Sequence, residues 1–165
     1  MKTVKLNDFF NESQLNLSIE IDAFGFTAKI SGDISQINFP PISSESARKN
    51  ELWTIGCFEI FVSGENNSYT EYNFGFDGNW ECFNFSDYRE NQSRPKVDNP
   101  PEVVCEISHN LFTQKVSFKK DIISKNSFSL SAVIKLKNKE FLYFANKHCA
   151  KTADFHIKEA RSLSF

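Results

Sequence analysis

The sequence predicts an all-β protein, a two-sheet antiparallel β-sandwich of about nine or ten short strands. Two features carry this prediction. Polar and apolar residues alternate in short runs rich in Phe, of which the chain has 18, and turn-favouring residues separate these runs at regular intervals. Because 165 residues suffice to bury one core without disulfides, we expect residues 1–165 to form a single domain.

The individual strands follow from the period-two alternation and from the turn residues that bound it. Residues 127–137 give the strongest pattern, with apolar side chains at every second position from 128 to 136. Residues 43–50 and 91–101 are polar or rich in Pro and Asn, so we expect loops there. The predicted strands are 14–21, 24–31, 52–63, 69–76, 79–86, 102–108, 112–118, 127–137 and 141–146, with a short last strand ending at residue 165.

The three central strands allow a register to be predicted. Asp77-Gly78 stands between two aromatic runs and is typical of a two-residue type I′ hairpin, which pairs Asn73 with Cys82. The preceding turn, closed at positions 63 and 69, places Glu59 opposite Asn73. The register then assigns every side chain of residues 52–86 to one of two faces.

One of these faces is apolar, and the other carries a polar row that crosses all three strands. The predicted core face contains Phe58, Ile60, Val62, Thr70, Tyr72, Phe74, Phe76, Phe83 and Phe85, with Glu81 as its charged member. The polar face contains Cys57, Glu59, Phe61, Glu71, Asn73, Trp80, Cys82 and Asn84. Carboxylates and amides bind hydroxyl groups and aromatic rings bind apolar C–H surfaces, so this face predicts a site for a polyhydroxylated or planar ligand.

The same stretch resembles a known family. The string LWTIGCFEIF…YTEYNFGFDGNWECFNFSDYR, followed near the C-terminus by YFANKHCAKTADFHIKEA, is similar to the signature of bacterial DOMON-like proteins related to family 9 carbohydrate-binding modules. The Leu-Trp, Cys-Phe-Glu, Glu-x-Asn, Gly-x-Trp, Tyr-Arg and Asp-Phe-His pieces occur in order over roughly residues 50–160. The resemblance implies an immunoglobulin-like sandwich that holds a sugar against aromatic rings.

Register and resemblance together predict a non-catalytic carbohydrate-binding module. Its ligand-binding residues are predicted to be Trp53, Glu59, Glu71, Asn73, Trp80, Arg89, Asp154 and His156. Each tryptophan could instead be a core residue. Arg89 could pair with a carboxylate of the sheet, and Asp154 and His156 could form a structural hydrogen-bonded pair.

Two other functions stay open at this point. Glu59 and Glu71 would lie diagonally on adjacent strands, roughly 7–8 Å apart, which suits the carboxylate pair of an inverting glycoside hydrolase. Two hydrogen-bonding carboxylates are the favoured interpretation, and no catalytic residue is assigned. Some DOMON domains bind haem; here Met1 is the only methionine, which leaves His148 or His156 as the axial ligand. No cofactor is expected in the favoured interpretation.

Composition excludes several further classes. A net charge of −2 and a pI near 5.9 give no basic surface for nucleic acid, and no stretch approaches a membrane span. The first residues show no secretory signal, so we expect a cytoplasmic protein with reduced thiols. The four cysteines contain no Cys-x-x-Cys pair, which argues against a metal site.

Overall fold

The computed structural model describes residues 1–165 and contains ten antiparallel strands with three short 3-10 turns. The all-β prediction is confirmed. No helix in the structure has the length and apolar character to span a membrane. The strands are β1 Lys2–Asp8, β2 Asn16–Asp22, β3 Gly25–Ser31, β4 Cys57–Ser63, β5 Tyr69–Gly75, β6 Trp80–Phe85, β7 Glu102–Ser108, β8 Leu111–Ser117, β9 Phe128–Lys135 and β10 Phe141–Ala145.

The strands form one continuous sheet, in the order β6-β5-β4-β9-β10-β1-β2-β3-β8-β7. Two separate sheets were predicted, but strand β1, which the sequence analysis missed, joins the two halves into one. Its link to β10 is narrow, since only Asn7 with Ala145 and Asp8 with Phe144 are paired. Val4 and Leu6 are the only buried apolar residues of β1, too short an alternation to predict a strand.

The two halves of the sheet pack on each other through aromatic side chains. Phe26 of β3 contacts Phe74 of β5 with ring centroids 5.2 Å apart, and Phe76 lies 4.9 Å from Phe112 of β8. Each such ring buries about 150–250 Å² and adds to the stability of the core. The face of β4, β5, β6, β9 and β10 that points away from this core is called the outer face below.

The outer face carries a second, smaller apolar cluster. It is covered by the 3-10 turn Leu52–Thr54 and by the C-terminal segment, residues 150–161. The members of the cluster are Leu52, Cys57, Phe61, Tyr69, Phe85, Val133, Ala145 and Phe155. The Leu52–Thr54 turn and the C-terminal segment rise above the sheet and make the outer face concave.

The register of β4 with β5 is the predicted one. Glu59 pairs with Asn73, and Phe61 pairs with Glu71. The register of β5 with β6 differs from the prediction by one residue, because Asn73 pairs with Glu81 and not with Cys82.

The turn between β5 and β6 explains this difference. Gly75 N–H donates to Asn79 O over 2.8 Å, and Gly78 N–H donates back to Gly75 O over 2.9 Å, so three residues form the loop. Only Gly78 has a positive φ, +87°, whereas a type I′ turn requires two such residues. The loop is the three-residue type, in which a left-handed Gly follows a tight turn.

A shift of one residue moves every β6 side chain to the opposite face. Trp80 and Cys82 are therefore in the main core, and their predicted place on the polar face is wrong. Glu81 and Phe83 replace them on the outer face, together with Phe85.

Replacing Gly78 with Ala should lower the free energy of unfolding by about 1–2 kcal/mol, the cost of a left-handed backbone for an L-residue. A Cβ at this position meets no atom closer than Val103 O at 3.9 Å, so steric overlap adds little. Urea denaturation measures the loss. Gly78→Asn should recover part of it, because Asn adopts this conformation more readily; equal losses for both variants would show that the backbone is not the cause.

Candidate functional site

An open cavity of about 510 Å³ lies on the outer face between the sheet, the Leu52–Thr54 turn and the C-terminal segment. Its volume falls within the range of small-molecule sites. The polar lining residues are Asn50, Glu51, Glu59, Glu71, Asn73, Glu81, Arg89, Gln92 and His156. The apolar lining residues are Leu52, Trp53, Phe61, Phe83, Phe85, Val133, Tyr143, Ala153 and Phe155.

The floor of the cavity is a polar row set by strand register. Glu59, Asn73 and Glu81 stand side by side on β4, β5 and β6. Glu71 lies two residues before Asn73 and therefore points to the same face. All but Glu71 are buried, so the sheet places three carboxyl groups and one amide on the floor of the cavity.

Glu59 is held by neutral donors only. Its Oε2 accepts a hydrogen bond from Ser131 Oγ at 2.9 Å, and its Oε1 accepts one from Cys57 Sγ at 3.6 Å. Burial, and then the nearby Glu71 carboxylate, raise the pKa of Glu59 to about 8. Glu59 is therefore protonated at neutral pH in the unliganded protein.

Asn73 links Glu71 to the centre of the row. Its Nδ2 donates to Glu71 Oε1 over 2.7 Å, and its Oδ1 lies 3.8 Å from Cys57 Sγ, as an alternative acceptor for the one thiol hydrogen. Burial raises the pKa of Glu71, although the Asn73 hydrogen bond and the Arg89 charge oppose that effect. Cys57 therefore lies within donor reach of both Glu59 and Asn73, and Asn73 in turn binds Glu71.

His156 closes one side of the cavity as a neutral imidazole. Arg89 N–H donates to the Tyr69 hydroxyl over 3.2 Å, so we assign the hydroxyl hydrogen of Tyr69 to His156 Nδ1, 2.7 Å away. Nε2–H then faces Glu71 Oε2 at 3.8 Å. Burial, followed by the Arg89 charge, lowers the pKa of His156 to about 4.

Asp154 does not line the cavity but fixes two groups that do. Its Oδ1 accepts from Arg89 Nη2 at 3.2 Å and from His156 N–H at 3.1 Å, and its Oδ2 accepts from the Tyr88 hydroxyl. Burial opposes ionisation of Asp154, but these hydrogen bonds outweigh it and lower its pKa. The predicted Asp154–His156 link therefore exists through the backbone, and Asp154 acts as a positioning residue.

Glu81 is the residue that sequence reasoning misplaced into the core. Its Oε1 accepts from Arg48 Nε at 2.5 Å and from Cys82 N–H at 2.9 Å. Its Oε2 lies 2.7 Å from Arg94 Nη2, an ion pair without hydrogen-bond alignment, since this oxygen has no hydrogen-bond partner. A carboxylate among core residues was the signal that the predicted register was wrong.

Trp53 stands at the mouth of the cavity, with 54% of its surface exposed. Its 3-10 turn is preceded by Glu51 in the left-handed conformation, φ +59°, which turns the chain toward β4. Trp80 lies on the far side of the sheet, where the Arg48 guanidinium covers its ring at 5.4 Å. Of the two predicted tryptophans, only Trp53 lies at this site.

The sequence matches no protein-family model and no curated protein. The fold does have a counterpart among solved structures. The chain superposes on a candidate carbohydrate-binding protein from Bacteroides uniformis with a TM-score of 0.61 and 11% identity, over 96% of this chain and 83% of that one. The two chains share a fold. At 11% identity, the similarity between the two proteins concerns the fold alone.

The two histidines considered for haem lie apart. His148 Nε2 contacts Asn7 O at 2.8 Å, outside the cavity wall. His156 lines the cavity, but its ring is wedged among Phe61, Tyr69 and Phe85, and the adjoining floor is carboxylate and amide. These groups suit hydroxyls better than an apolar macrocycle, so no observation favours haem, and an absorption spectrum of the purified protein tests it directly.

The free energy of unfolding should fall as the pH rises from about 6.5 to about 8. Folded Glu59 keeps its proton up to about pH 8, whereas the unfolded chain loses it near pH 4.3. The unfolded state then binds fewer protons, so stability declines by at most about 1.4 kcal/mol per pH unit. The lowered pKa of His156 acts in the opposite sense, but only below its unfolded pKa of about 6.5.

Urea denaturation across this pH window should show the decline in the native protein and a flatter profile for Glu59→Gln. Glu106→Gln removes the same charge from an exposed position of β7 and should keep the native profile. Parallel profiles for the native protein and Glu59→Gln would contradict the assignment of this titration to Glu59.

Proposed function

We propose that the cavity binds a carbohydrate or a sugar-like ligand without transforming it. The observation that carries the proposal is the pairing of a polar floor, Glu59, Glu71 and Asn73, with aromatic walls inside one cavity of about 510 Å³. Sugars present hydroxyl groups in their plane and C–H surfaces on their faces. This cavity offers hydrogen-bonding groups to the first and rings to the second.

Each part of the site has a separate task in this proposal. Trp53 stacks on the exposed face of the sugar. Protonated Glu59 and the Nε2–H of His156 donate hydrogen bonds, and Glu71 accepts them. Arg89 contributes a further donor at the rim, held in place by Asp154.

The relation to DOMON-like and family 9 sandwich modules is part of the proposal. The shared fold with a candidate carbohydrate-binding protein supports it. So does the arrangement of the Leu-Trp, Glu-x-Asn and Asp-Phe-His residues around one cavity. We also propose a cytoplasmic location for the module.

Binding should be weak, micromolar to millimolar, about −8 to −4 kcal/mol. Trp53→Ala should lose most of it, because the ring supplies the stacking surface at the mouth. Calorimetric titration with a panel of mono- and oligosaccharides measures the loss. Phe24→Ala is the matched control, since Phe24 is an equally exposed aromatic residue, 60%, on the β2–β3 turn. Equal losses for both variants would place the sugar elsewhere.

One observation favours glycoside hydrolysis as a second candidate. Glu59 has the raised pKa of a general acid, about 8, and a second carboxyl group, Glu71, lies on the adjacent strand of the same floor. Their diagonal positions are roughly 7–8 Å apart, a separation compatible with inversion. In this mechanism Glu59 protonates the leaving oxygen and Glu71 activates water.

Turnover of nitrophenyl glycosides separates the two candidates. If the protein is a hydrolase, Glu59→Gln should reduce turnover by about 10²–10⁴-fold, the contribution of a general acid. Glu106→Gln should leave it unchanged. Saturable sugar binding without any turnover by the native protein would reject the hydrolase and leave the binding module.

A further inference from the structure

Charge compensation is uneven around the cavity. Glu81 is paired with Arg48 and Arg94, and Asp154 outside the wall is paired with Arg89. Glu59 and Glu71 are different. Neither carboxyl group forms an ion pair with a lysine or an arginine.

The hydrogen-bond partners of Glu59 and Glu71 are all neutral. Glu59 receives bonds from a hydroxyl of β9 and a thiol of β4, and Glu71 receives one from the amide of Asn73. The imidazole of His156 lies 3.8 Å from Glu71 but is uncharged. An ionised carboxylate has about four acceptor positions, so each group retains unused acceptors once it is ionised.

Arg89 does not supply the missing cation. Its Nη2 is engaged with Asp154 at 3.2 Å, it forms no hydrogen bond with either floor carboxylate, and half of its side chain is exposed to solvent. Exposure weakens its charge, which lowers the pKa of both floor carboxyl groups but by less than burial raises it. Two carboxyl groups on a cavity floor without a counter-ion cannot both ionise favourably, so Glu59 keeps its proton until a ligand supplies positive charge.

We propose that the ligand is an amino sugar, whose protonated amine binds between Glu59 and Glu71. This inference rests on the proposed function, because the sugar ring occupies the cavity described above. An ammonium group has three donors and no acceptor, which matches two acceptor-rich carboxylates better than a hydroxyl does. The same floor repels a uronic acid, so the expected order of affinity is amino sugar, neutral sugar, uronate.

Binding of the amine is linked to proton release. The free protein holds a proton on Glu59, since burial and Glu71 raise its pKa. Its remaining surroundings are Cys57, Asn73 and Ser131, all uncharged, with the screened Arg89 at the rim. When an ammonium arrives, Glu59 ionises and up to one proton leaves, whereas a neutral sugar binds without this release.

Calorimetric titration of the full chain at about pH 6 and about pH 7 tests the proposal with three matched pairs: glucosamine and glucose, galactosamine and galactose, mannosamine and mannose. Glucuronate is the anionic probe. In at least one pair the amino sugar should bind about tenfold more tightly, the effect of a charge-assisted hydrogen bond. Titrations in two buffers of different ionisation enthalpy should show proton release for that sugar alone, and its preference should grow with pH.

Two variants and one control assign the effect to the floor. Glu59→Gln and Glu71→Gln each keep the shape of the side chain but remove its charge. Each should reduce the ratio of amino-sugar to neutral-sugar affinity to within about twofold, whatever its effect on the affinity for the neutral sugar. Glu106→Gln should retain the full preference.

The outcomes separate this inference from the proposed function. Equal affinity within every pair, or tighter binding of glucuronate, would overturn the amino-sugar proposal and leave the sugar site intact. Absence of binding for all seven sugars would overturn the sugar site itself, and with it this inference.

Discussion

The three-residue turn Phe76–Asp77–Gly78 determines which face of β6 meets the cavity. If the turn had two residues, Trp80 and Cys82 would lie beside Asn73, and Glu81 would enter the aromatic core without a partner. Gly78 alone permits the observed loop, since it adopts the left-handed conformation that a three-residue hairpin requires. The composition of the cavity floor therefore depends on the backbone of one glycine.

Glu81 in turn connects the floor to two distant loops. Arg48 precedes the Trp53 turn and Arg94 follows β6, and both guanidinium groups converge on this buried carboxylate. Removal of Glu81 would leave two arginines without their partner and would loosen both loops at the edge of the sheet. Glu81 is thus mainly a structural carboxylate, whereas Glu59 and Glu71 form no ion pair with a lysine or an arginine.

The sequence was sufficient for those parts of the fold that depend on alternation alone. The register of β4 with β5 was predicted because a slip would have exposed the residues around Phe58 and Phe74. The register of β6 was predicted wrongly, because Asp-Gly occurs in both two- and three-residue hairpins. Which of the two loops forms depends on whether one or two residues adopt a positive φ. Glu59, Glu71 and Asn73 lie on the predicted face of the sheet, and Trp80 does not.

Contacts between segments that are distant in the sequence could not be predicted from residue spacing. His156 meets Tyr69 across 87 residues, and that contact fixes both the tautomer and the orientation of the imidazole. The Asp-Phe-His sequence suggested a carboxylate–imidazole pair. It did not predict that the Asp154 carboxylate accepts from the backbone N–H of His156 and from the side chain of Arg89. Such facts arise from the packing of the C-terminal segment on the outer face and have no periodic signature in the sequence.

A buried carboxyl group held only by neutral donors is a local violation of the rules that stabilise the rest of this sheet. Elsewhere, buried Glu81 and Asp77 are paired with cations and buried Asp8 accepts hydrogen bonds from three backbone N–H groups, whereas Glu59 has only a hydroxyl and a thiol donor. Natural proteins tolerate such exceptions at functional sites, where stability is lower than the fold would allow. Substitutions that remove the Glu59 carboxyl group should therefore stabilise the protein above neutral pH and, at the proposed amino-sugar site, abolish the preference for a charged ligand.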